Sequence, residues 1–442
     1  MSTTTLHPAQ AAVPGASAAP APVPKRIVAA TVAGNALEFY DFVTYSFFAV
    51  YIGQAFFPAK TPFMSLLLSV AVFGVGFFTR PLGGILIGAF ADRAGRKPAM
   101  LLTIALITIG TAGLALTPSY ESIGIAAPII VVLARLVQGL ALGGEVGPST
   151  AFLVEAAPPG KRGLYAAWQI ASQGGAALAA GIVGVALSAV LSKEQMHDWG
   201  WRVPFALGLT LIPVAIYLRR AMPETLEHAA GADGSGEGAS RAQMALLGQH
   251  KRIIFLLLLI VIGGTISTYV ATYMTTYAIT VLKLPGTAAL AATVAFGAST
   301  LVLALVGGWL GDRFGRKPIM LWPRIAVMLL TYPAFLLLTH SPSLGTLLLA
   351  TVVVGGLQGM SGAAGMPIMA ELLPPQVRAL GGSLIYAIGV TLFGGTTQFV
   401  ITWMIEKTGN PLTPAWYVVA TSVLTIIGIV LLPETNKMEL ER

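Results

Sequence analysis

Long apolar runs recur along the whole chain, and they constrain the fold more than any other feature of the sequence. The runs are separated by short polar connections and lie near residues 27–51, 63–90, 99–117, 126–152, 163–191, 202–219, 252–279, 287–310, 319–339, 345–370, 379–405 and 414–432. A bilayer core about 30 Å thick needs roughly 20 apolar residues for each spanning helix. The sequence therefore predicts an all-α integral membrane protein with twelve transmembrane helices.

The composition excludes several classes of function. Only 10% of the 442 residues are charged, against roughly a quarter in ordinary soluble domains. Twelve spans also leave little chain for a domain outside the membrane. The chain has no cysteine, so thiolate metal sites and cysteine nucleophiles are excluded. It also has no phosphate-binding G-x-x-x-x-G-K-[ST] loop. We expect no enzyme activity, no cofactor and no metal, and, because the basic residues form no contiguous stripe, no nucleic-acid partner.

The distribution of basic residues predicts the orientation of the chain in the membrane. Residues 1–24 are rich in Ala, Pro and Thr, resemble no signal peptide, and are predicted to be a disordered cytoplasmic tail. Eighteen Lys and Arg residues fall on the side of the N-terminus, and five fall on the opposite side: Lys60, Lys193, Arg202, Lys283 and Lys407. The positive-inside rule then places both termini in the cytoplasm, as expected for a multi-pass protein of the inner (plasma) membrane.

Internal repetition divides the chain into two predicted bundles of six helices. GAFADRAGRKP at 88–98 returns as GWLGDRFGRKP at 308–318, and EAAPP at 155–159 returns as ELLPP at 371–375. A third pair, PET, follows the sixth run at 223–225 and the last run at 433–435. We expect bundles at 25–220 and 250–432, a flexible cytoplasmic linker at 221–249 and a cytoplasmic tail at 433–442.

The repeated loop is a predicted gate. Its glycines permit a tight turn and its basic residues suit a cytoplasmic surface. By hypothesis each Asp pairs with an Arg of its loop or faces a helix N-terminus of the same half, and the bond breaks when the inner gate opens. The alternative is a basic loop that only sets topology. The residues concerned are Asp92, Arg93, Arg96, Asp312, Arg313 and Arg316.

The two loops, after the second and eighth runs, resemble the signature of the major facilitator superfamily, and RLVQG at 135–139 resembles its second motif. GNALEFYDF at 34–42 and DWGWRVPF at 198–205 resemble the metabolite:proton symporters of that superfamily. Within this branch, WQIASQ at 168–173 and YMTTYAITVL at 273–282 resemble the citrate-type transporters, whereas GGEVG at 143–147 is closer to the oxo-dicarboxylate carriers. The resemblance implies a twelve-helix secondary transporter.

Ionisable residues within the apolar runs are predicted to couple transport to protons, because charge at membrane depth is costly. Glu38 and Asp41 lie three residues apart on one helical face, and two such carboxylates do not both ionise easily in a low dielectric. We expect this pair, Asp41 above all, to carry the proton. The alternative is that one of them has a structural partner. Glu145 either joins the relay or pairs with an Arg at the inner gate.

Buried arginines are the predicted clamps for an anionic substrate, because a guanidinium binds a carboxylate through two hydrogen bonds. Arg80 and Arg135 lie deep in the second and fourth runs, and we expect Gln138 to join them. They could equally neutralise the acidic residues of the same half. Arg324 is close enough to the inner end of its run to extend towards the surface, and we assign it no role.

Hydroxyl and amide groups are predicted to complete the substrate site. Tyr269, Tyr273, Thr276 and Tyr277 share a face of the seventh run. Gln169, Ser172 and Gln173 share a face of the fifth run. Either group could instead bond a neighbouring helix.

We expect the chain, as a monomer, to import a di- or tricarboxylate, most simply citrate, together with protons by alternating access. The alternatives are 2-oxoglutarate or another dicarboxylate, a zwitterionic osmolyte such as betaine or proline, and a nutrient sensor that no longer transports.

Overall fold

The computed structural model describes residues 25–94, 96–143, 146–220 and 245–438, and within these ranges the chain is helical apart from short connections, with no strand. The predicted tail at 1–24, most of the predicted linker and the last four residues lie outside the described residues. The helices up to residue 220 are α1 (Lys25–Phe47), α2 (Ala49–Phe56), α3 (Pro62–Phe78), α4 (Arg80–Ala94), α5 (Arg96–Leu116), α6 (Tyr120–Ile123), α7 (Ala126–Leu142), α8 (Val146–Glu155), α9 (Arg162–Val190), α10 (Lys193–Asp198), α11 (Val203–Thr210) and α12 (Ile212–Arg220).

A second series of helices follows a short helical turn at 245–249. It consists of α13 (Lys251–Thr280), α14 (Gly286–Phe314), α15 (Arg316–His340), α16 (Leu344–Thr351), α17 (Leu357–Leu372), α18 (Pro375–Gly389), α19 (Gly395–Thr408) and α20 (Thr413–Leu431). Within the described residues, each apolar run predicted from the sequence is helical over nearly its whole predicted length. Several runs are broken into two helices, because residues such as Thr79 and Gly143 interrupt them.

Eight helices of the described residues are long and apolar enough to cross a membrane, by length and composition. The first, Pro62–Ile87, covers α3 and the beginning of α4. The last is Thr413–Leu431, and the longest is Lys251–Thr280. Large apolar side chains such as Ile85, Leu116 and Tyr217 are more than two-thirds exposed, as expected for a surface that contacts lipid.

The N-terminal helices (residues 25–220) and the C-terminal helices (residues 245–438) contact each other most closely where glycines face each other. α9 crosses α14 along its length, and a Cβ added to Gly308 would lie 2.6 Å from the carbonyl oxygen of Gly163. α3 crosses α19 in the same way, with Gly74 against Gly395. Small residues let helix backbones approach without a side chain between them, so these crossings hold the two series together.

Two π-helical turns interrupt the C-terminal helices. They span Val352–Gly356, before α17, and Val390–Gly394, before α19. Such turns often occur at functional sites, because they shift the side chains that follow them around the helix. Gly355 and Val390, one from each turn, border the cavity described below.

Candidate functional site

A chain of buried polar side chains joins α1 to α7. The Gln138 Nε2 donates a hydrogen bond to Asp41 Oδ2, and the Arg135 Nη1 donates to Gln138 Oε1 at 2.8 Å. All three residues are at most 4% exposed. The Oδ1 atom of Asp41 and the Nε of Arg135 have no hydrogen-bond partner among the described residues. The glutamine therefore connects a buried acid to a buried base that does not touch it directly.

Aromatic rings cover the arginines of this region. The Arg135 guanidinium lies 4.5 Å from the ring centre of Tyr45, and the Arg80 guanidinium lies 4.1 Å from that of Phe77. Phe42 lies beside both arginines. These cation–π contacts stabilise the two charges partly and keep them away from water. Neither arginine lines the central cavity described below, and their role as substrate ligands stays a prediction.

A small crevice of about 40 Å³ lies on the opposite side of α1 from the central cavity. Glu38, Asp41 and Thr111 border it, together with residues of α11 and α12. Glu38 and Asp41 thus share one environment, as their spacing indicates. Because Phe39 and Phe42 of the same helix face the central cavity instead, the two acids are separated from that cavity by aromatic rings.

A central cavity of about 150 Å³ lies between the N-terminal and C-terminal helices. Arg324 is the charged side chain among the described residues that line it. The neutral polar lining is Gln173, Thr265, Thr268, Tyr269, Thr272, Thr300, Gln358, Ser361, Tyr386 and Thr425. Both series of helices therefore contribute to a space with hydroxyl groups, amides and one guanidinium.

Arg324 on α15 is buried, with 1% of its surface exposed, so the prediction that it extends to the surface is wrong. Its Nη1 donates to Ser267 Oγ at 2.9 Å and, at 3.5 Å, to Ser422 Oγ, while its Nη2 donates to Gln358 Oε1. Its Nε has no hydrogen-bond partner in the described ranges of the chain. α15 is rotated so that this side chain points inward, which hydropathy alone does not show.

The polar residues of α9 divide between two places. Gln169 Nε2 donates to Asn35 Oδ1 at 2.9 Å, and Asn35 Nδ2 donates to Ser172 Oγ at 2.6 Å. Gln169 and Ser172, predicted to bind substrate, thus bond α1, and Gln173 of the same helix borders the central cavity.

The hydroxyl groups of α13 reach different places, and their role as a common substrate lining stays a prediction. Tyr269 borders the central cavity. The Tyr273 hydroxyl accepts a hydrogen bond from Thr402 Oγ1 at 2.8 Å, and the Tyr277 hydroxyl donates to the Pro411 carbonyl at 2.7 Å. Thr276 is buried, and no described residue bonds its hydroxyl. The helix is long enough that residues one and two turns apart meet different neighbours.

At one end of the bundle, Asp312 joins the two series of helices. Its carboxylate accepts hydrogen bonds from the backbone N–H groups of Gly163 at 2.7 Å and Leu164 at 2.8 Å, in the first turn of α9. It also pairs with Arg316 at 2.6 Å, and Arg316 pairs with Glu371 at 3.3 Å. We call this end the latch end. The pairing with a loop arginine matches the prediction, but the helix N-terminus belongs to the opposite series, not to the same half.

Glu434 closes the N-terminus of α15 at the latch end. Its carboxylate accepts hydrogen bonds from the backbone N–H groups of Arg316 at 2.8 Å and Lys317 at 3.0 Å. Partial burial alone would raise the pKa of this carboxyl, but the backbone N–H donors of Arg316, Asn436, Lys317 and Thr435 outweigh burial and lower the pKa below its usual value. Glu371 accepts a further bond from Thr435, so the repeated PET segment anchors the latch.

The structure gives less detail on the other residues predicted for the gate and the proton relay. Arg313 is exposed, with its guanidinium 5.8 Å from the ring centre of Trp309. The side chains of Asp92, Arg93, Arg96 and Glu145 lie outside what the structure describes. The first copy of the gate therefore stays a prediction.

The sequence reasoning missed Arg324, Gln358 and Asn35. A signal for Gln358 was present, since the Gln-Gly pair at 138–139 recurs at 358–359 with the same offset as the repeated loop. This repeat places one glutamine beside Arg135 and the other beside Arg324.

An apolar helical bundle with a central cavity and buried ionisable groups is the architecture of a secondary membrane transporter. The sequence model of the family described as "Sugar (and other) transporter" matches residues 27–245 and, again, residues 226–442. The chain belongs to this family, which is part of the major facilitator superfamily.

Similar proteins include carriers of several small molecules. The chain is 35% identical to the citrate-proton symporter of Klebsiella pneumoniae, over 89% of this chain and 88% of the relative. It is 35% identical to the alpha-ketoglutarate permease of Escherichia coli (strain K12), over 91% and 92%. It is 33% identical to the glycine betaine/proline/ectoine/pipecolic acid transporter OusA of Dickeya dadantii (strain 3937), over 94% and 85%.

Among solved structures, the fold is similar to the partially occluded inward open conformation of the xylose transporter XylE from E. coli. The TM-score is 0.75 at 17% identity, over 94% of this chain and 99% of that chain. This likeness shows the major facilitator fold.

Proposed function

We propose that the chain is a proton-coupled symporter that imports a small organic acid, most simply citrate or a related tricarboxylate, across the inner membrane. The similarity to citrate-proton symporters over most of both chains supports this substrate class. In this proposal the described helices form twelve spans in two bundles, both termini are cytoplasmic and the latch end faces the cytoplasm. One chain contains both the cavity and the buried acid, so a monomer is sufficient for transport.

The observation that carries the proposal is the pairing of a central cavity with a separate, buried carboxylate. The cavity lies between the two series of helices, where an alternating-access carrier holds its substrate. Asp41 lies in the N-terminal helices behind Phe42 and borders its own crevice. A proton and a substrate can therefore occupy different places at the same time, which symport requires.

Protonation of Asp41 is the proposed coupling step. The ionised carboxylate accepts the Gln138 amide bond, and Gln138 in turn orients Arg135. A proton on Asp41 removes the negative charge and weakens this charge-assisted bond. Arg135 then loses part of its electrostatic compensation, and its aromatic neighbours connect this change to the cavity through Phe73 and Tyr269, whose ring centres lie 6.0 Å apart. We propose Arg135 and Gln138 as coupling residues rather than substrate ligands.

Opening of the latch end is the proposed gating step. The Asp312 carboxylate holds the first turn of α9 to the C-terminal helices, and this contact must break for the two series to separate at that end. Met320 and Met369 line the cavity near the latch end, so separation there opens the cavity to the cytoplasm. The substrate leaves when the carrier opens inward.

Uptake into proteoliposomes tests this function. Labelled citrate is offered under an imposed inward proton gradient, with unlabelled tricarballylate, 2-oxoglutarate and betaine as competitors. Accumulation that tricarballylate blocks and a protonophore abolishes is the expected result. Accumulation of 2-oxoglutarate or betaine instead would replace the substrate but keep the coupling. Absence of accumulation of all of these compounds would contradict the proposal and favour a sensor.

A further inference from the structure

We propose that Arg324 binds a carboxylate of the transported substrate directly and that Gln358 holds the guanidinium in place for it. This inference rests on the proposed function, because it names the ligand group of the same central cavity. It departs from the expectation that the arginines of the N-terminal helices, Arg80 and Arg135, bind the substrate.

Within the part of the chain that the structure describes, Arg324 is a buried cation without an acidic partner. Its hydrogen bonds to described residues all go to neutral groups, the Ser267 and Ser422 hydroxyls, the Gly263 carbonyl and the Gln358 amide. Among the described residues, the acidic groups that form ion pairs do so with Arg316 or a histidine, never with Arg324. A guanidinium buried without a counter-ion destabilises the empty protein, because its hydration is lost and no charge replaces it.

The repeated glutamine shows what is missing. Gln138 joins Arg135 to a carboxylate of the protein, Asp41. Gln358, at the equivalent place of the repeat, accepts a bond from Arg324, but no acidic residue of the described chain completes this second arrangement. The open position is the central cavity itself. We infer that the substrate supplies the carboxylate there, just as Asp41 supplies it in the N-terminal helices.

The surroundings of Arg324 suit a small carboxylate. The Nε donor has no partner among the described residues. The cavity beside the guanidinium has room because residue 264 is a glycine: a Cβ there would lie 3.8 Å from Arg324 Nη2 and 2.9 Å from Gln358 Nε2. Tyr269, Thr268 and Gln173 line the same space and offer bonds to further oxygens of the ligand. A carboxylate with additional oxygen atoms, such as a hydroxy acid or oxo acid, matches this set.

Binding of citrate, tricarballylate, 2-oxoglutarate and betaine to the purified full chain in nanodiscs tests the inference. We expect Arg324→Gln to weaken binding of the preferred compound by about 10-fold to 100-fold, the effect of losing hydrogen bonds to a charged group. Arg324→Lys keeps the charge but cannot bind a carboxylate through two parallel hydrogen bonds, so it should bind more tightly than Arg324→Gln and more weakly than the native chain. Gln358→Glu places a competing carboxylate beside Arg324 and should also weaken binding. The matched control is Arg202→Gln, which removes an arginine that bonds the Thr117 carbonyl and does not line the cavity.

Thermal unfolding without ligand separates this role from a structural one. If Arg324 serves the ligand, Arg324→Gln removes an uncompensated charge, so the empty protein keeps or raises its Tm and loses the Tm increase that the ligand causes. A purely structural arginine would instead lower the Tm and leave the affinity of the folded protein unchanged, and this result would overturn the inference.

The transport assay distinguishes failure of this inference from failure of the proposed function. Proton-driven uptake by the native chain, with unchanged affinity in Arg324→Gln, would overturn the clamp, that is, carboxylate binding by Arg324, and would leave the symporter function in place. Binding that depends on Arg324, without proton-driven uptake, would overturn the symporter and leave the clamp. Absence of binding of all four compounds to the native chain would overturn the clamp.

Discussion

Replacing Asp312 with asparagine should open the latch end of the protein. The carboxylate is 8% exposed and accepts bonds from Gly163 N–H, Leu164 N–H and the Arg316 guanidinium, at 2.6–2.8 Å. Asparagine has nearly the same shape but only one acceptor oxygen and no charge. Its amide NH₂ must face at least one of these donors, so at least one bond is lost and the others weaken.

The magnitude follows from the bonds that cross between the two series of helices. Of the bonds to the Asp312 carboxylate, those from Gly163 and Leu164 cross, and each hydrogen bond to a charged group contributes about 1.5–3 kcal/mol. Loss of one and weakening of the other should cost the closed latch about 2–4 kcal/mol. The population that is open at this end then rises by a factor of about 30 to about 1,000, provided that it is small in the native protein.

Thiol labelling measures this population directly, because the natural sequence has no cysteine and needs no background removal. A Thr268→Cys reporter lines the central cavity, and its reaction with a membrane-impermeant maleimide is followed in vesicles with the latch end outward. Asp312→Asn should accelerate labelling at least about tenfold. The control, Asp198→Asn, removes an exposed carboxylate paired with His197 and should leave the rate unchanged. Equal rates for the native protein and Asp312→Asn would refute the latch.

Three further outcomes are expected. Asp41→Asn should abolish proton-driven accumulation but keep substrate exchange between the two sides, since it mimics the permanently protonated acid; retained accumulation in uptake assays would exclude Asp41 as the proton site. Because the pKa of Glu434 is lowered in the folded protein, its contribution to stability is present above the pKa of an unfolded carboxyl and is lost as the pH falls through the folded value; Glu434→Gln should therefore reduce the acid-side decrease of Tm between about pH 6 and pH 3, and an unchanged Tm profile would contradict this role. Gly308→Ala should destabilise the crossing of α9 and α14 by about 1–3 kcal/mol, whereas Gly175→Ala, where the added Cβ meets open space, should be neutral in the same unfolding measurement.

Much of the site could not be predicted because it depends on helix rotation. The sequence predicted a shared environment for Glu38 and Asp41, since a separation of three residues fixes a common face within one helix. It did not predict that Arg324 points inward, because its distance from the end of the run is equally compatible with a side chain that reaches the surface. It also did not separate Gln173 from Gln169 and Ser172, since the division between cavity and α1 lies within a single helical face.

The sequence by itself determined the membrane class, the positions of the helices and the internal repeat, because hydropathy, breakers and spacing are properties of consecutive residues. The tertiary structure decided which buried charges find partners. Asp312 bonds the opposite series of helices, and Arg324 faces a cavity that no acid of the described residues lines, because glycine contacts between distant helices set how those helices meet. Burying a charge or a polar group is costly unless a partner lies close enough to bond it, so the roles of these residues follow from that packing and not from their order in the chain.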